Sequence, residues 1–249
     1  FTSRPVGDAM ATTIWGTSSS WTLTALPLFV WMGEILFRTK LSENLFEGLS
    51  PWMQKLPGGL IHVNVVGCAL FAAISGSSAA TVATVGKMSI PELRKRNYPE
   101  KILLGSLAGS GTLGLLIPPS IILIIYGVTV QESIAKLFVA GIVPGIMIAL
   151  IFMSYVILWS LFNKKQMPNI VNQYSFIDKI KRSGQLIPVI ILILSVIGSI
   201  YTGIATATEA ASLGVVGALI LSYFQKSLSW NTFKSSLLGA TKTSCMISF

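Results

Sequence analysis

The chain has 249 residues, of which 52% are hydrophobic and 11% are charged, and its formal net charge is +9. Soluble domains carry about 25% charged residues, so this composition excludes an ordinary soluble domain and indicates an integral membrane protein. The basic excess falls in short loops between apolar runs, which argues against a nucleic-acid partner. The two cysteines lie in separate apolar runs and predict neither a disulfide framework nor a metal cluster.

Apolar and polar runs divide the chain into four regions. Residues 1–55 hold a polar loop, an apolar helix over residues 14–37 and an amphipathic connecting segment. Residues 56–128 hold a helical hairpin and a broken helix, residues 129–200 hold further apolar helices and a basic loop, and residues 201–249 hold a turn and two apolar runs. The last run stops inside apolar sequence, so we expect both ends of the chain to be truncated.

Residues 56–90 are predicted to form a re-entrant helical hairpin with its tip at residues 75–78. The first arm covers residues 56–74, whereas the second, residues 79–90, is apolar for about a dozen residues before Pro91. A helix that crosses the ~30 Å hydrocarbon core needs about 20 residues, so the second arm is too short to cross. A tip at membrane depth presents hydroxyls, carbonyls and helix-end dipoles to an ion or an anion. Close packing of small residues is the alternative explanation.

The apolar run over residues 102–128 is interrupted by two adjacent prolines, Pro118 and Pro119. They remove two backbone donors and break the helix, and the freed carbonyls need partners, of which a sodium ion is a natural one. Ser120 is placed to cap the second half-helix. A simple proline kink is the alternative interpretation.

The segment from Gly109 to Gly114 also matches the dinucleotide-binding pattern G-x-G-x-x-G, and Glu132 follows about 20 residues later. The prolines break the helix that this motif requires, and no βαβ unit surrounds it. We therefore reject a dinucleotide site.

Two acidic residues lie near the ends of apolar segments. Glu209 opens an apolar helix for which Thr206 or Thr208 is the expected N-cap, and a first-turn carboxylate suits the helix dipole. A buried proton or ion site at Glu209 is the alternative. Glu34 is interpreted as an acid at the membrane interface.

The sole histidine, His62, lies in the first hairpin arm. With Ser77 it could form the serine–histidine pair of an intramembrane hydrolase. However, Ser78 stands where such a tip requires glycine, and no carboxylate is placed to orient the imidazole. We therefore favour a packing or hydrogen-bonding role for His62, and a lone histidine predicts no metal site.

Basic residues are distributed unevenly between the loops. If the hairpin enters and leaves on one side, that face receives loops with 15 of the 18 Lys and Arg residues: 38–55, 87–101, 163–185 and 225–234. The loops of the opposite face carry Arg4 alone. The positive-inside rule then makes the first face cytoplasmic. A full double crossing would give the same parity, so the short second arm alone argues for re-entrance.

Five segments carry motifs in a fixed order: ALPLFVWMGE at 25–34, LPGGL at 56–60, FAAISGSSAAT at 71–81, GTLGLLIPPS at 111–120 and GIATATEAA at 203–211. Together they resemble the large membrane subunit of the tripartite ATP-independent periplasmic (TRAP) transporters. The family usually has T-P-T-E in the last motif, where Ala207 replaces the proline. The resemblance covers nearly the whole chain.

This resemblance implies an all-α integral membrane protein, namely an elevator-type transporter with inverted repeats, a re-entrant helical hairpin and broken helices. It implies a multi-pass permease of the bacterial inner membrane, not an enzyme, that imports a small organic anion across the lipid bilayer by sodium symport. A C4-dicarboxylate or a sialic acid are examples of that anion. The implied partners are a periplasmic solute-binding protein and a small membrane subunit.

By the same resemblance, residues 56–128 form half of a transport domain, residues 129–200 are scaffold, and residues 201–249 begin the second repeat. The family's second hairpin and second broken helix are not found in these 249 residues. We therefore expect a middle portion of the subunit with one of two half-sites.

The implied half-site lies between the hairpin tip and the broken helix. Sodium is expected to be bound, partly through backbone carbonyls, by Ser75, Ser77, Thr112, Ile117 and Pro118. Substrate is expected beside it, at Ser75, Gly76, Ser77, Ser78, Pro119 and Ser120. No catalytic residue is expected.

Three other functions stay open. A sodium/dicarboxylate symporter of related architecture would need no binding protein, an intramembrane serine hydrolase would use Ser77 and His62, and a membrane scaffold would transport nothing. The substrate is not determined, because no arginine lies inside an apolar segment to bind a carboxylate.

Overall fold

A computed structural model describes residues 6–19, 21–39, 41–168 and 176–248. They form twelve α-helices: α1 (Val6–Ser18), α2 (Ala25–Phe37), α3 (Leu41–Met53), α4 (Ile61–Ser75), α5 (Ser78–Lys95), α6 (Glu100–Gly111), α7 (Ile121–Thr129), α8 (Ile134–Phe162), α9 (Phe176–Ser183), α10 (Ile187–Tyr201), α11 (Ala207–Phe224) and α12 (Trp230–Ser248). Three 3-10 helices cover Trp21–Thr24, Thr112–Leu115 and Lys164–Gln166. No β-strand occurs among these residues, so the prediction of an all-α class is confirmed.

Two helices, α8 and α11, are long and apolar enough to cross a membrane, with 29 and 18 residues. The number rises to as many as four if each of two bent helix pairs is one span; α9 with α10 is such a pair, bent by 51°. Along α8, large apolar side chains such as Val143 and Leu150 are more than half exposed. This outward apolar surface suits contact with lipid.

The N-terminal region differs from the prediction. The expected loop over residues 1–12 is helical from Val6, because Asp8 in the first turn suits the dipole and Ala9 is a strong helix former. The helix expected over residues 14–37 is divided, since α2 begins only at Ala25.

Helix α2 lies between the hairpin and the C-terminal helices. It packs against α11 and α12 and also against α4. Phe29 is fully buried and meets the Phe138 ring edge-to-face at 6.3 Å between centroids, and Trp31 Nε1 donates to Ser236 Oγ at 3.2 Å. These contacts fix α2 beside the hairpin tip.

The hairpin consists of α4 and α5, joined at Gly76. Gly76 has a φ of +59°, a left-handed conformation that glycine adopts without steric cost, and its N–H donates to Ala72 O at 3.0 Å. Ser77 is extended and caps α5, its Oγ accepting from Ala80 N. The predicted helical hairpin with its tip at residues 75–78 is therefore present.

The second arm is longer than predicted. Helix α5 continues through Pro91 to Lys95, so much of the loop expected over residues 87–101 is helical. The basic Arg94 and Lys95 in its last turn suit the helix dipole. At 1.5 Å per residue, its 18 residues extend about 27 Å, but its last turns are polar and charged, and α5 is not among the described helices that are long and apolar enough to cross a membrane. Re-entrance stays a prediction.

The helix break at the prolines is confirmed. Helix α6 ends at Gly111, a 3-10 turn follows, and α7 begins at Ile121, after a cis peptide bond between Pro118 and Pro119. Ser120 occupies the N-cap position of α7, but its Oγ donates to Leu115 O at 2.7 Å and makes no capping bond. The expected Ser120 side-chain cap is therefore wrong, because the hydroxyl faces Leu115 O and accepts no N–H of α7.

At the start of α11, Thr206 is the N-cap. Its hydroxyl accepts from Glu209 N, and the Glu209 carboxylate accepts from Thr206 N at 2.8 Å, which completes a capping box. This selects Thr206 rather than Thr208 and assigns Glu209 a structural partner.

Candidate functional site

The hairpin tip and the broken helix meet directly through their backbones. Ile121 N donates to Gly76 O at 3.2 Å, and a Cβ at Gly76 would collide with Pro119 O. A Cβ at Gly114 would lie only 2.9 Å from Ser78 N. Both approaches require glycine, so the two interrupted elements form one tight junction.

The tip presents three serine hydroxyls in different environments. Ser75 is 2% exposed, and its Oγ lies 3.0 Å from Thr81 Oγ1. The Ser77 hydroxyl caps α5. The Ser78 Oγ is buried and has no hydrogen-bond partner among the described residues. A buried oxygen without a partner is costly, so Ser78 is the group at the tip most in need of a ligand.

The irregular backbone between the 3-10 turn and α7 supplies free oxygens. Two of its carbonyls are already in contact with neighbours. Leu115 O accepts a hydrogen bond from Ser120 Oγ, and Leu116 O lies so close to Gly141 of α8 that a Cβ there would be 2.6 Å away. The carbonyls of Ile117 and Pro118 accept no hydrogen bond from any described residue. Free carbonyls in a broken helix are groups that can coordinate a cation.

The hydroxyls of Thr112 and Ser120 each donate to a nearby backbone carbonyl of their own chain segment. Thr112 is exposed, and its Oγ1 donates to Gly109 O at 2.7 Å within its own helix. Ser120 is fully buried and bonded to Leu115 O. Thus the structure brings Ser75–Ser78 and the Pro119 backbone together, whereas the Thr112 hydroxyl is turned toward its own chain segment.

A cavity of 510 Å³, here called the tip cavity, opens beside Ser75–Ser78. Its other walls come from α2, α5, α7 and α12, and include Gly33, Glu34, Ile122 and Thr243. Its size falls within the ~300–1,000 Å³ range of small-molecule pockets. The first N–H groups of α5 lack helical partners and lie at this wall, which favours an anionic group.

Glu34 lies in this wall, and its expected position at the membrane interface stays a prediction. Its side chain is 18% exposed and forms an ion pair with Arg38, 2.9 Å between Oε2 and Nη2. The i, i+4 spacing could have predicted the pair. Its place beside the hairpin tip depends on the packing of α2 against α4, which no local pattern reveals.

His62 and Ser77 do not form a catalytic pair. His62 lies 13 residues before Ser75 on α4, about 20 Å along a helix, and its Nε2 lies 2.8 Å from Pro57 O. Its Nδ1 is buried without a partner among the described residues. The serine hydrolase alternative is therefore wrong. Among the described residues, no group of three His, Cys, Asp or Glu side chains could hold a metal ion.

Comparison with known proteins gives one consistent result. Residues 1–249 match the family model described as "Tripartite ATP-independent periplasmic transporter, DctM component". The chain is 32% identical over 242 residues to the C4-dicarboxylate TRAP transporter large permease protein DctM of Pseudomonas aeruginosa, covering 97% of this chain and 56% of that protein.

Two further relatives carry other substrate names. The isethionate TRAP transporter permease protein DctMQ of Oleidesulfovibrio alaskensis is 35% identical, over 96% of this chain and 38% of that protein. The 2,3-diketo-L-gulonate TRAP transporter large permease protein YiaN of Escherichia coli is 34% identical, over 96% and 56%. The chain thus spans about half the length, or less, of these relatives. The chain belongs to the DctM family of TRAP transporter permease components, which are membrane transporters and not enzymes.

Proposed function

We propose that this chain provides one half-site of a sodium-coupled permease that imports a small organic anion with a periplasmic binding protein and a small membrane subunit. One observation carries the proposal. The hairpin tip and the broken helix join through Gly76 O and Ile121 N, with the unpartnered Ser78 Oγ and two free carbonyls nearby. Broken elements that meet in this way are the usual place for coupling ions and substrates in secondary transporters.

In this proposal sodium is held by the Ser75 and Ser77 hydroxyls and by the carbonyls of Ile117 and Pro118. These groups are neutral oxygens of the kind that coordinate sodium in broken membrane helices. Thr112 is the fifth proposed ligand. Its hydroxyl donates to Gly109 O, so coordination through Thr112 requires that its lone pairs face the ion while this bond is kept or exchanged.

The substrate is proposed to bind in the tip cavity beside the ion, against Ser75, Gly76, Ser77 and Ser78. Pro119 and Ser120 support this position from the broken helix. Two features favour an anion: the N-terminal end of α5 at the cavity wall, and relatives named for a C4-dicarboxylate, isethionate and 2,3-diketo-L-gulonate. The class proposed for this chain is therefore a small organic acid.

Coupling follows if the ion stabilises the junction that the substrate requires. An ion that bridges the tip and the broken helix binds the joined state more tightly than the separated one. Substrate affinity then rises with sodium, by at most the ion's differential affinity for the two states. We propose that the joined unit moves as one body in an elevator of inverted repeats, and that the basic loops lie on the cytoplasmic side of the inner membrane.

The test is uptake by the full-length subunit, reconstituted in proteoliposomes with its small subunit and binding protein. Radiolabelled succinate, isethionate and 2,3-diketo-L-gulonate are compared under an inward sodium gradient and under a matched potassium gradient. We expect uptake of at least one of these anions with sodium only. Uptake that is equally fast in both gradients would remove sodium coupling.

The same preparation without the binding protein separates two transporter types. A binding-protein-dependent permease loses uptake in this arm. A symporter of related architecture keeps it, and that outcome would replace the proposed partner while leaving the sodium half-site in place.

A further inference from the structure

Two cavities lie end to end between α2 and α5. The tip cavity is followed by a second cavity of 630 Å³, here called the basic cavity. Phe37 lines both cavities. On α5, Ala80 and Ala83 line the tip cavity, and the residues that follow them, Thr84 and Lys87, line the basic cavity. Because the helix lines them in chain order, the cavities are successive lengths of one groove from the hairpin tip toward the basic loops.

Helix α2 repeats this order on the other wall. Gly33 and Glu34 line the tip cavity, Phe37 lies at the junction, and Arg38 and Thr39 line the basic cavity. The groove therefore has two continuous walls, one from each helix.

The basic cavity has an excess of positive charge. Among the described residues, its charged lining residues are four cations and two acids: Arg38, Lys87, Arg96, Arg182, Glu47 and Glu92. Arg96 Nε lies 3.6 Å from Glu92 Oε2. Lys87 makes no ion pair with any described residue, and its Nζ lies 6.0 Å from the centre of the Phe37 ring. A cleft with this charge raises the local concentration of anions.

The one negative charge among the described residues that line the tip cavity is neutralised by an ion pair. Glu34 is the one carboxylate among the described residues that line it. Arg38, one turn along α2, donates to Glu34 Oε2 from Nε at 3.0 Å and lies 2.9 Å from the same oxygen through Nη2. Gly239 of α12 packs against this carboxylate, because a Cβ there would lie 2.8 Å from Glu34 Cδ. The pair is thus fixed between α2 and α12 and is formally neutral.

We infer that this groove is the route by which an anion passes between the hairpin tip and the basic face, meaning the face of the protein that carries the basic loops. Phe37 stands at the junction of the two cavities, Lys87 attracts the anion, and Arg38 neutralises Glu34, which would otherwise repel it. The inference rests on the proposed function in taking the cargo to be an anion. It goes further in assigning charge selection to residues that do not belong to the tip or the broken helix.

The test measures access to the tip cavity with charged thiol reagents. Ala79→Cys places an exposed thiol in the tip cavity of the full-length subunit with its partners, in a background without Cys245 or other reactive cysteines. Anionic 2-sulfonatoethyl and cationic 2-(trimethylammonium)ethyl methanethiosulfonate are applied to the basic face of membrane vesicles. Ala83→Cys is a second thiol position if Ala79→Cys folds poorly.

Lys87→Gln should lower the ratio of anionic to cationic reaction rates about threefold or more, because one positive charge leaves the groove. Lys95→Gln is the matched control: the same charge change on the same helix, at an exposed residue outside the lining of either cavity. Equal ratios in the two variants would overturn the inference, as would a thiol that reacts only from the opposite face.

A second pair of variants tests the Glu34–Arg38 pair. Arg38→Gln should lower the same ratio by exposing the Glu34 carboxylate, and Glu34→Gln in the same chain should restore it. A purely structural role for Arg38 predicts no rescue by removal of its partner, so failure of the double variant to recover would overturn the role of the pair. These assays contain neither sodium nor substrate, so a failure of sodium coupling would not alter their outcome.

Discussion

Gly114→Ala tests the junction between the hairpin tip and the broken helix most directly. A Cβ at Gly114 would lie 2.9 Å from Ser78 N, 3.0 Å from Ser77 C and 3.1 Å from Ser78 Cα. All three are backbone atoms, so no side-chain rotation relieves the overlap. To reach an ordinary contact, the shortest distance must grow from 2.9 to 3.4 Å, which separates the two elements by 0.5 Å.

The expected loss follows from the energy of that overlap. Overpacking in a closely packed region costs about 1–3 kcal/mol. If sodium binds only the joined tip and break, this energy is subtracted from ion binding, and about 1.4 kcal/mol corresponds to a tenfold change in affinity. We therefore expect sodium affinity to fall about five- to 150-fold.

The assay is a sodium titration of the purified full-length subunit, followed by its thermal stabilisation and by the sodium dependence of uptake. Gly105→Ala on α6 is the matched control, because a Cβ there would meet no atom within 4 Å. That control should keep the sodium response and gain up to about 1 kcal/mol of stability from the better helix former. A folded Gly114→Ala subunit with unchanged sodium affinity would refute an ion site at the junction.

Three further substitutions separate ligand roles from structural roles. Ser78→Ala should raise the sodium or substrate concentration for half-maximal uptake. The melting temperature should change little, because the Ser78 hydroxyl has no partner to lose among the described residues. Unchanged uptake kinetics would exclude Ser78 from the binding site. Thr112→Val should abolish sodium-driven uptake while Thr112→Ser retains it, and equal uptake would remove Thr112 from the ligands. Tyr98→Phe should cost about 1–3 kcal/mol by thermal unfolding, since the buried Leu60 N–H loses its acceptor at 3.1 Å, with the sodium response unchanged.

The elements of the site could be predicted because they depend on local backbone chemistry. Gly76 followed by three small residues at 77–79, and two adjacent prolines that remove two backbone donors, are local signals that favour a helix break. The tip and the break were therefore visible in the sequence. Their junction was expected only through the family resemblance, since the Gly76 O to Ile121 N bond joins segments 45 residues apart.

The length of the second arm could not be predicted from hydrophobicity. Apolar sequence ends near Ile90, but the helix continues to Lys95, because polar residues such as Glu92 and Arg94 are good helix formers in solvent. A proline inside a helix removes one hydrogen bond and need not end the helix. The end of a hydrophobic run marks a change of environment, and here the helix crosses it.

The cavity wall was even less accessible to sequence reasoning. Glu34 and Thr243 lie more than 200 residues apart in the chain and yet line the same space as the tip. Their proximity results from the packing of α2 against α12, where Trp31 Nε1 donates to Ser236 Oγ. Interaction between helices distant in sequence leaves no periodic signal in either helix.

The two parts of the site therefore differ in the atoms that build them. The tip and the break contact each other mainly through backbone atoms, which tolerate few changes at Gly76 and Gly114 and depend little on other side chains. The remaining wall is formed mainly by residues of α2, α5, α7 and α12. Substitutions in that wall can reshape the cavity without disturbing the junction. This division agrees with a family in which relatives at 32% to 35% identity are named for a C4-dicarboxylate, isethionate and 2,3-diketo-L-gulonate.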